Sequence, residues 1–398
     1  MHCLCKLIFH VCLLFINANL FSLASSIPHT ASKRGSPAKY DVLVIGGGPA
    51  GLQALSSLGR VRRNALLLDS GDYRNAPTRR AHDVLGFDGT PPAAFRALAR
   101  QQISKYPTVT MYNATIKTIE NLNNGKEFVA TDSTGKTYSA RKVVLGTGMR
   151  DLLPSTPGIA KAWGKGIYWC PWCDGYEHRD QPLGVLGGFV PGVVSKGLTM
   201  QTLNKDIILF VNGTFTSDNI AKVAAKNPNW EQELKDYNVI IDDRPLASIT
   251  RLGSSNDVDP DGSNALHDEF LVTFTDGATI RRSAFVTSFP EEQRSDLGKS
   301  LGVEIFENQL VVDSKDMETK IKGIYAVGDA NSDGSSNVPH AMWSAKRAVV
   351  GIHGVLSDED AAALVENQIN EKREVKEYAT ILLERDLEDL WEKVSRLS

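Results

Sequence analysis

The sequence predicts an α/β protein made of two Rossmann-like domains, each a doubly wound, three-layer fold. Two apolar segments, Tyr40–Ile45 and 182–186, each run into a glycine-rich turn, as a dinucleotide-binding strand does before its helix. Two further segments that resemble buried strands, 142–148 and 323–329, lie on either side of the second turn. This order indicates that one domain is inserted in the other, and 398 residues suffice for two to three domains.

Composition excludes several classes of protein. With 42% hydrophobic and 23% charged residues, the chain has a normal soluble composition and is neither disordered nor fibrous. The net charge of −3 supplies no basic field, so we expect no nucleic-acid partner. Three of the five cysteines lie within the first 12 residues, which leaves Cys170 and Cys173 in the body of the chain. A scaffold held together by disulfides is therefore excluded.

The front of the chain has the pattern of a secretory signal. Lys6 precedes an apolar run at 7–16, and small residues follow at 22–26, as they do at a cleavage site. We expect a signal peptide over residues 1–24 and a linker, or a propeptide, over 25–38. The protein would then be secreted or held in the secretory pathway.

Polar residues in this front segment argue against a membrane anchor. His10, Asn17 and Asn19 interrupt it, so we expect no stable membrane span, with a signal anchor as the alternative. The sequons that begin at Asn113 and Asn212 would be glycan acceptors in the secretory pathway.

The turn after the first strand suits the phosphates of a dinucleotide. Its pattern is G-x-G-x-x-G before the helical stretch 52–58, and its residues include Gly46, Gly48, Pro49, Ala50 and Gly51. Gly46 permits the tight turn, Gly48 lets pyrophosphate approach the backbone, and Gly51 lets helix and strand pack closely. The helix N-terminus offers free N–H groups to the phosphates. Asp69 ends the next predicted strand, where an acid accepts ribose hydroxyls.

Later motifs resemble those of FAD enzymes. One predicted strand ends in Gly-Thr-Gly at 146–148, and another ends in Asp329. They resemble the second and third FAD motifs of the two-dinucleotide-fold flavoproteins, in which the final Asp holds the flavin ribityl chain. Segments 69–75 and 82–89 resemble, more narrowly, the thioredoxin-reductase-like branch. FAD is therefore the expected cofactor.

This resemblance implies a domain layout and a set of FAD contacts. It places an FAD-binding domain at 39–154 and 288–355, around an inserted NADPH-domain-like fold at 155–287. Residues 356–398 lie beyond the family pattern, and their apolar spacing predicts a helical extension that packs on the body or on a second subunit. Dimers are usual in the family, so we expect a homodimer. The implied FAD contacts are Gly46, Gly48, Pro49, Ala50, Gly51, Asp69, Arg74, Asn75, His82, Thr147, Gly148, Asp329 and Val338.

The two cysteines in the body of the chain form a Cys170-Pro-Trp-Cys173 motif. A C-x-x-C brings both sulfurs within bonding range and can cycle between dithiol and disulfide. Zinc would need two further ligands, and a structural disulfide across two residues would constrain almost nothing in the unfolded chain. Redox activity is therefore the expected role.

The motif resembles the Cys-x-x-Cys-Asp-Gly of low-molecular-weight thioredoxin reductases. The resemblance implies that Cys173 exchanges electrons with the flavin, that Cys170 meets the substrate, and that Asp174 exchanges a proton with thiol or flavin. Asp174 could instead be an ordinary carboxylate at a helix start. Trp169 and Trp172 suit a small hydrophobic substrate as well as a protein substrate, or else simply pack.

The second glycine turn lacks the features of an NADPH site. Its middle glycine position is Phe189, whose ring would occupy the space in which pyrophosphate touches the backbone. NADPH sites present arginines to the 2′-phosphate, but none follows the next strand, 206–211, before Arg244. We interpret the site as lost, with a rearranged site as the alternative.

A damaged second site resembles the gliotoxin-oxidase-like branch, the fungal dithiol oxidases of secondary metabolism. In that branch, electrons pass from a substrate dithiol to the enzyme disulfide, to FAD and to O2, which yields a product disulfide and hydrogen peroxide. The loop at 337–344 also resembles the branch and would place His340 near the dithiol. His340 would deprotonate the incoming thiol there, or else pack on the flavin.

Three hypotheses for function follow. The first is an FAD-dependent dithiol oxidase that converts a small-molecule dithiol to its disulfide with O2. The alternative is an NAD(P)H-dependent disulfide reductase of thioredoxin type, which needs a working second nucleotide site. The third is a flavin-binding protein without catalysis, against which the intact pair of cysteines argues.

Overall fold

The computed structural model describes residues 39–254, 265–334 and 336–396. The predicted signal peptide and linker lie outside the described residues. From Lys39 onward the chain forms one compact unit, so the division into two domains stays a prediction.

The strands form a mixed sheet, a parallel sheet, a small antiparallel sheet and two ribbons. They are β1 (Tyr40–Ile45), β2 (Ala65–Asp69), β3 (Val109–Asn113), β4 (Ile116–Leu122), β5 (Glu127–Asp132), β6 (Thr137–Leu145), β7 (Met149–Asp151), β8 (Ile167–Tyr168), β9 (Leu183–Leu186), β10 (Ile207–Phe210), β11 (Ile240–Asp242), β12 (Leu246–Ser254), β13 (Asp268–Phe274), β14 (Thr279–Arg282), β15 (Ala284–Thr287), β16 (Glu291–Gln293), β17 (Ile305–Phe306), β18 (Gln309–Leu310) and β19 (Ile324–Ala326). The α-helices are α1 (Pro49–Arg60), α2 (Pro92–Ile103), α3 (Ile159–Ala162), α4 (Pro171–Asp174), α5 (Pro191–Thr199), α6 (Ser217–Lys226), α7 (Trp230–Asp236), α8 (Leu297–Ser300) and α9 (Val338–Ser395).

The first sheet has the strand order β3-β2-β1-β6-β5-β4, and β19 pairs with the end of β6. Its β1, β2, β3, β6 and β19 run parallel, as the apolar sequences predict. Val42 and Val44 pack on one face against α1 and α9, whereas Leu43 and Ile45 join the core on the other face. The carboxyl ends of β1, β2 and β6 therefore meet at one edge.

The second sheet is parallel throughout, in the order β11-β10-β9-β15-β8. Helices α5, α6 and α7 cover one face, and the antiparallel sheet β12-β13-β14 covers the other through Phe270 and Phe274. The predicted α/β class with two Rossmann-like sheets is confirmed.

The two connections between these sheets pair with each other. Strand β7 follows β6 on the way to the second sheet, and β16 lies on the way back. They run antiparallel, with Asp151 opposite Glu291.

The last helix, α9, is continuous from the first sheet to the end of the described chain. Its first part buries Ile352 in the core, and Glu359 then pairs with Arg141 and Lys142. Nearly every side chain of 361–396 is exposed. The predicted helical extension is confirmed, but its packing on the body ends here; packing on a second subunit stays a prediction. No helix in the described ranges is long and apolar enough to span a membrane.

Asp268, at the start of β13, joins three parts of the chain. Its fully buried carboxylate accepts hydrogen bonds from Arg79 at 2.6 Å and His178 at 3.1 Å, and it also pairs with Arg251. Burial alone would raise the pKa of Asp268, but these three donors hold it well below its ordinary value. Because His178 lies four residues beyond Asp174, this network anchors the cysteine motif to the β12-β13-β14 sheet and to the loop that carries Arg79.

We expect Asp268→Asn to lower the free energy of unfolding by about 3–5 kcal/mol, because it leaves buried cationic partners without a carboxylate. Since folding lowers the pKa of Asp268, its stabilisation is present above about pH 4 and is lost as the pH falls. The neighbouring Glu269, which is half-exposed and pairs with Arg281, is the matched control. Glu269→Gln should cost about 1 kcal/mol or less. Urea unfolding at several pH values measures both, and equal losses would contradict the prediction.

Candidate active site

A cavity of about 570 Å³ opens where the first sheet ends. Ligands of open α/β sheets bind at this carboxyl edge. Trp169 lines the cavity beside Cys173, so the cavity joins the glycine turn to the cysteine motif. The predicted site residues that line it are Gly46, Gly48, Pro49, Ala50, Asp69, Arg74, Asn75, Thr147, Gly148, Asp329, Val338 and Cys173.

The first glycine turn has the shape that a pyrophosphate needs. Gly46 has φ +107°, and a Cβ there would lie 2.3 Å from the carbonyl oxygen of Gly146. A Cβ on Gly51 would lie 1.8 Å from the carbonyl oxygen of Gly46, which explains the close packing of helix on strand. A Cβ on Gly48 would meet no atom within 4 Å. Gly48 is also the N-cap of α1, with no side-chain cap, so the first N–H groups of the helix are left for phosphate.

Asp69 lies at the cavity as predicted, but its carboxylate already has protein partners. It accepts hydrogen bonds from the Tyr73 hydroxyl at 2.6 Å and from the Gly47 N–H at 3.2 Å, and it pairs with Arg100. Burial, and then the bond to Asp69, raise the pKa of Tyr73. No motif in the sequence marked Arg100, which lies on α2.

Arg74 lines the cavity and also binds three carboxylates. It donates to Asp151 and Glu291, each at 2.6 Å, and to Asp329 at 3.0 Å. Burial by itself lowers the pKa of Arg74, but these acids raise it above its ordinary value. Two predicted FAD contacts, Arg74 and Asp329, are therefore bonded to each other, and Asp151 and Glu291 were not predicted.

Cys170 and Cys173 are joined in a disulfide at one end of the cavity. Cys170 is the N-cap of α4, and Cys173 is the one that lines the cavity. Trp169 stacks on Trp163 with ring centroids 5.1 Å apart, whereas Trp172 is 73% exposed. Trp169 is thus packed, and Trp172 is available to a substrate.

Asp174 is buried beside the disulfide but does not line the cavity. Burial raises the pKa of Asp174 to about 6, although the charges of His178, His82 and Arg79 oppose that rise. A carboxyl with this pKa gains or loses a proton near neutral pH, which suits general acid–base chemistry. Its predicted role as an exchanger of protons stays a prediction.

Two predicted site histidines lie outside the group that lines the cavity. His340 Nε2 lies 2.7 Å from Asp333 Oδ1, and its ring packs on Trp343. His82 Nδ1 lies 3.3 Å from Asp88 and 3.5 Å from Glu177. Neither histidine lines the cavity, so their predicted roles stay predictions. His82 lies next to Glu177.

The second glycine turn is filled by protein. Phe189 is fully buried and packs edge-on against Phe215 and Trp230, with ring centroids 4.7 and 5.2 Å away. Its N–H, which a nucleotide-binding turn would leave for phosphate, donates to Thr214 Oγ1 at 2.7 Å.

The next arginine along the chain also has partners. Arg244 binds Asp242 through two nitrogens and lies 3.7 Å over the Phe274 ring. Phe189 therefore occupies the position of the phosphate turn, and the exposed Arg244 is already paired with Asp242.

A dinucleotide cavity that ends at a disulfide defines a flavin-dependent thiol–disulfide oxidoreductase. The family model "Pyridine nucleotide-disulphide oxidoreductase" matches residues 40–215. A protein of Arthroderma benhamiae named "Probable thioredoxin reductase" is 46% identical over 390 residues, which cover 95% of this chain and 96% of the relative. The protein named thioredoxin reductase tcpT, from Claviceps purpurea, is 31% identical over 76% of this chain and 90% of its own length. The crystal structure of HlmI aligns with a TM-score of 0.71 at 29% identity, over 84% of this chain and 98% of HlmI.

The chain belongs to the thioredoxin-reductase-like pyridine nucleotide-disulphide oxidoreductases. It is therefore an oxidoreductase of dithiols and disulfides, and FAD is its cofactor. The cavity fits FAD, because the open space at Gly48 and the uncapped helix suit its pyrophosphate and Cys173 lies at the other end.

We expect Gly48→Val to fold but to purify without flavin. The added side chain would meet no protein atom near its Cβ, yet it would extend into the space for pyrophosphate. Gly354→Ala is the control, since Gly354 also has open space but lies on α9 away from the cavity. Flavin absorbance per protein measures the effect, with circular dichroism as the test of folding. A full flavin content in Gly48→Val would refute the placement of the pyrophosphate.

Proposed function

We propose that this protein is an FAD-dependent oxidase that converts a small-molecule dithiol to its disulfide, with O2 as the electron acceptor. The proposal rests on the difference between the FAD cavity and the second glycine turn. The Cys170–Cys173 disulfide lies at the FAD cavity, whereas the turn through which NADPH would deliver electrons is occupied by Phe189. Electrons can then enter only from the thiol side.

The reaction begins with thiol–disulfide exchange at Cys170. A substrate thiolate attacks the Cys170 sulfur, the bond to Cys173 breaks, and Cys173 leaves as a thiolate. The second substrate thiol attacks the substrate sulfur of this mixed disulfide, which releases the product disulfide and leaves two reduced cysteines. The chemistry that FAD supplies when bound is acceptance of two electrons and their transfer to O2. One dithiol and one O2 therefore give one disulfide and one H2O2.

The surface beside Cys170 favours a small apolar substrate. Trp172, inside the motif, is 73% exposed, and Tyr176 is 56% exposed. Aromatic rings that face solvent next to a reactive sulfur provide apolar contact area for a compact ligand.

An NAD(P)H-dependent disulfide reductase is the alternative, which the names of the relatives favour. It would need pyrophosphate to displace Phe189 from among Phe215 and Trp230, and the Phe189 N–H to leave Thr214. Both changes would disrupt buried packing.

We also propose that the protein enters the secretory pathway and forms a homodimer. The signal-like segment 1–24 supports the first proposal, and the exposure of Asn113 and Asn212 would leave room for glycans. The resemblance to a family in which dimers are usual supports the second.

Anaerobic flavin absorbance separates the oxidase from the reductase. We expect NADPH to leave the oxidised flavin band unchanged, a small dithiol to bleach it, and air to restore it with formation of peroxide. Bleaching by NADPH alone within a catalytic turnover would establish the reductase and contradict the argument from Phe189.

We expect Cys170→Ala to abolish dithiol turnover while retaining the yellow flavin, because Cys173 and not Cys170 lines the cavity. Peroxide formation and flavin absorbance measure the two quantities in one preparation. Trp391→Ala, on the exposed part of α9, is the control and should keep both. Loss of FAD from Cys170→Ala would contradict the assignment of roles to the two cysteines.

A further inference from the structure

The carboxyl of Asp174 lies in a buried cluster of titratable groups behind the disulfide. Its charge interacts with those of His178, His82, Glu177 and Arg79. Tyr168 belongs to the same cluster, because Asp174 and Glu177 both act on its hydroxyl. The two ring nitrogens of His178 lie 2.8 Å from the Asp174 carbonyl oxygen and 3.1 Å from the Asp268 carboxylate.

Two atoms of this cluster have no hydrogen-bond partner in the described ranges. They are the Tyr168 hydroxyl and the Glu177 Oε2, and both are fully buried. Buried polar groups are nearly always satisfied, by an ordered water where no protein group serves. Asp174 and Glu177 lie three residues apart in successive helical turns, 171–174 and 176–178, a spacing that brings two side chains to the same side of the chain.

The other carboxyl oxygen of Glu177, Oε1, lies on the side of His82 and the protein surface. Glu177 Oε1 lies 3.5 Å from His82 Nδ1, and the same nitrogen lies 3.3 Å from Asp88 Oδ2. The side chains of Glu177 and His82 are only 8% and 12% exposed, whereas that of Asp88 is 63% exposed. Acidic and basic groups therefore alternate from the buried cluster to the surface.

We propose that Glu177 and His82 form the route by which protons pass between Asp174 and solvent. The proposal rests on the proposed function. Oxidation of a dithiol releases two electrons and two protons; the electrons go to FAD, and protons that FAD does not take up must leave a buried site. The charged groups that face this route are Asp174, His178, Asp88, Arg79, Asp268 and Arg251.

The competing interpretation is that Glu177 and His82 only hold the segment in place. Arg79, Arg251 and His178 already bind Asp268 and account for that anchoring. Glu177 contributes its backbone carbonyl, which accepts from the Leu266 N–H at 2.7 Å, and this contact does not need the carboxyl. The anchor therefore does not depend on the Glu177 carboxyl.

The test measures the rate of anaerobic flavin reduction by dithiothreitol in the FAD-loaded enzyme, as a function of pH. In Glu177→Gln and His82→Ala the rate in dilute buffer should fall at least about tenfold, the range of lost proton transfer. Added imidazole should restore much of the rate in His82→Ala, because it replaces the missing shuttle. Wild type should not respond to imidazole. Glu292→Gln, which removes an exposed carboxyl paired with Arg150, is the matched control and should match wild type.

Each outcome decides the proposal. Wild-type rates in both variants, or slow rates in His82→Ala that imidazole does not relieve, would overturn the relay in favour of a structural role. Thermal unfolding and flavin content identify a variant that has merely lost its fold. Wild-type enzyme that dithiol cannot reduce would overturn the proposed function and the relay together. Bleaching by NADPH would overturn only the oxidase, since the same traces still measure the relay.

Discussion

The rest of the site depends on the ion pairs that the Arg74 guanidinium makes with three carboxylates. The guanidinium ties Asp151 on β7 to Glu291 on β16, and it holds Asp329 at the cavity. It also lies 5.5 Å from the ring of Trp169, next to the disulfide. Because β7 and β16 are the two connections between the sheets, this cluster helps to hold the disulfide at the cavity. Removal of one partner of a buried ion pair costs about 3–5 kcal/mol, so the arrangement is firmly held.

The filled second glycine turn supports the proposed entry of electrons from the thiol side. Phe189 stands where a nucleotide-binding turn has a glycine. Its side chain does not lie in solvent but is part of the hydrophobic core. Three rings and the bond from its N–H to Thr214 stabilise the filled form. The second sheet also positions the cysteine motif, because β8 leads directly into it and Cys173 lines the FAD cavity.

The sequence predicted what depends on a few consecutive residues. The turn at 46–51 and the cysteine motif could be located because their geometry is set by adjacent residues. The pairing of Asp69 with Arg100 and that of Asp268 with Arg79 could not, because the partners are 31 and 189 residues apart. No local pattern marks such a pair until the fold brings it together.

The two histidines illustrate the same limit in the site itself. The resemblance assigns His82 to the flavin and His340 to the dithiol, and both roles stay predictions. No motif marked the acidic partners that the fold gives them, Glu177 for His82 and Asp333 for His340. A motif determines where a residue lies along the chain. The direction of its side chain also depends on charged residues outside the motif, which the fold brings close.

The energetics of Asp174 favour a functional explanation for its burial. Its pKa rises from 3.8 to about 6 on folding, so the native protein binds the proton more tightly than the unfolded chain. Stability must therefore fall as the pH rises from about 4 to about 6, by about 3 kcal/mol. A structural carboxylate at a helix start would lower its own pKa and stabilise the fold at neutral pH. Asp174 does the reverse, and a buried carboxyl with a raised pKa beside a disulfide is suited to the proton exchange that is predicted for it.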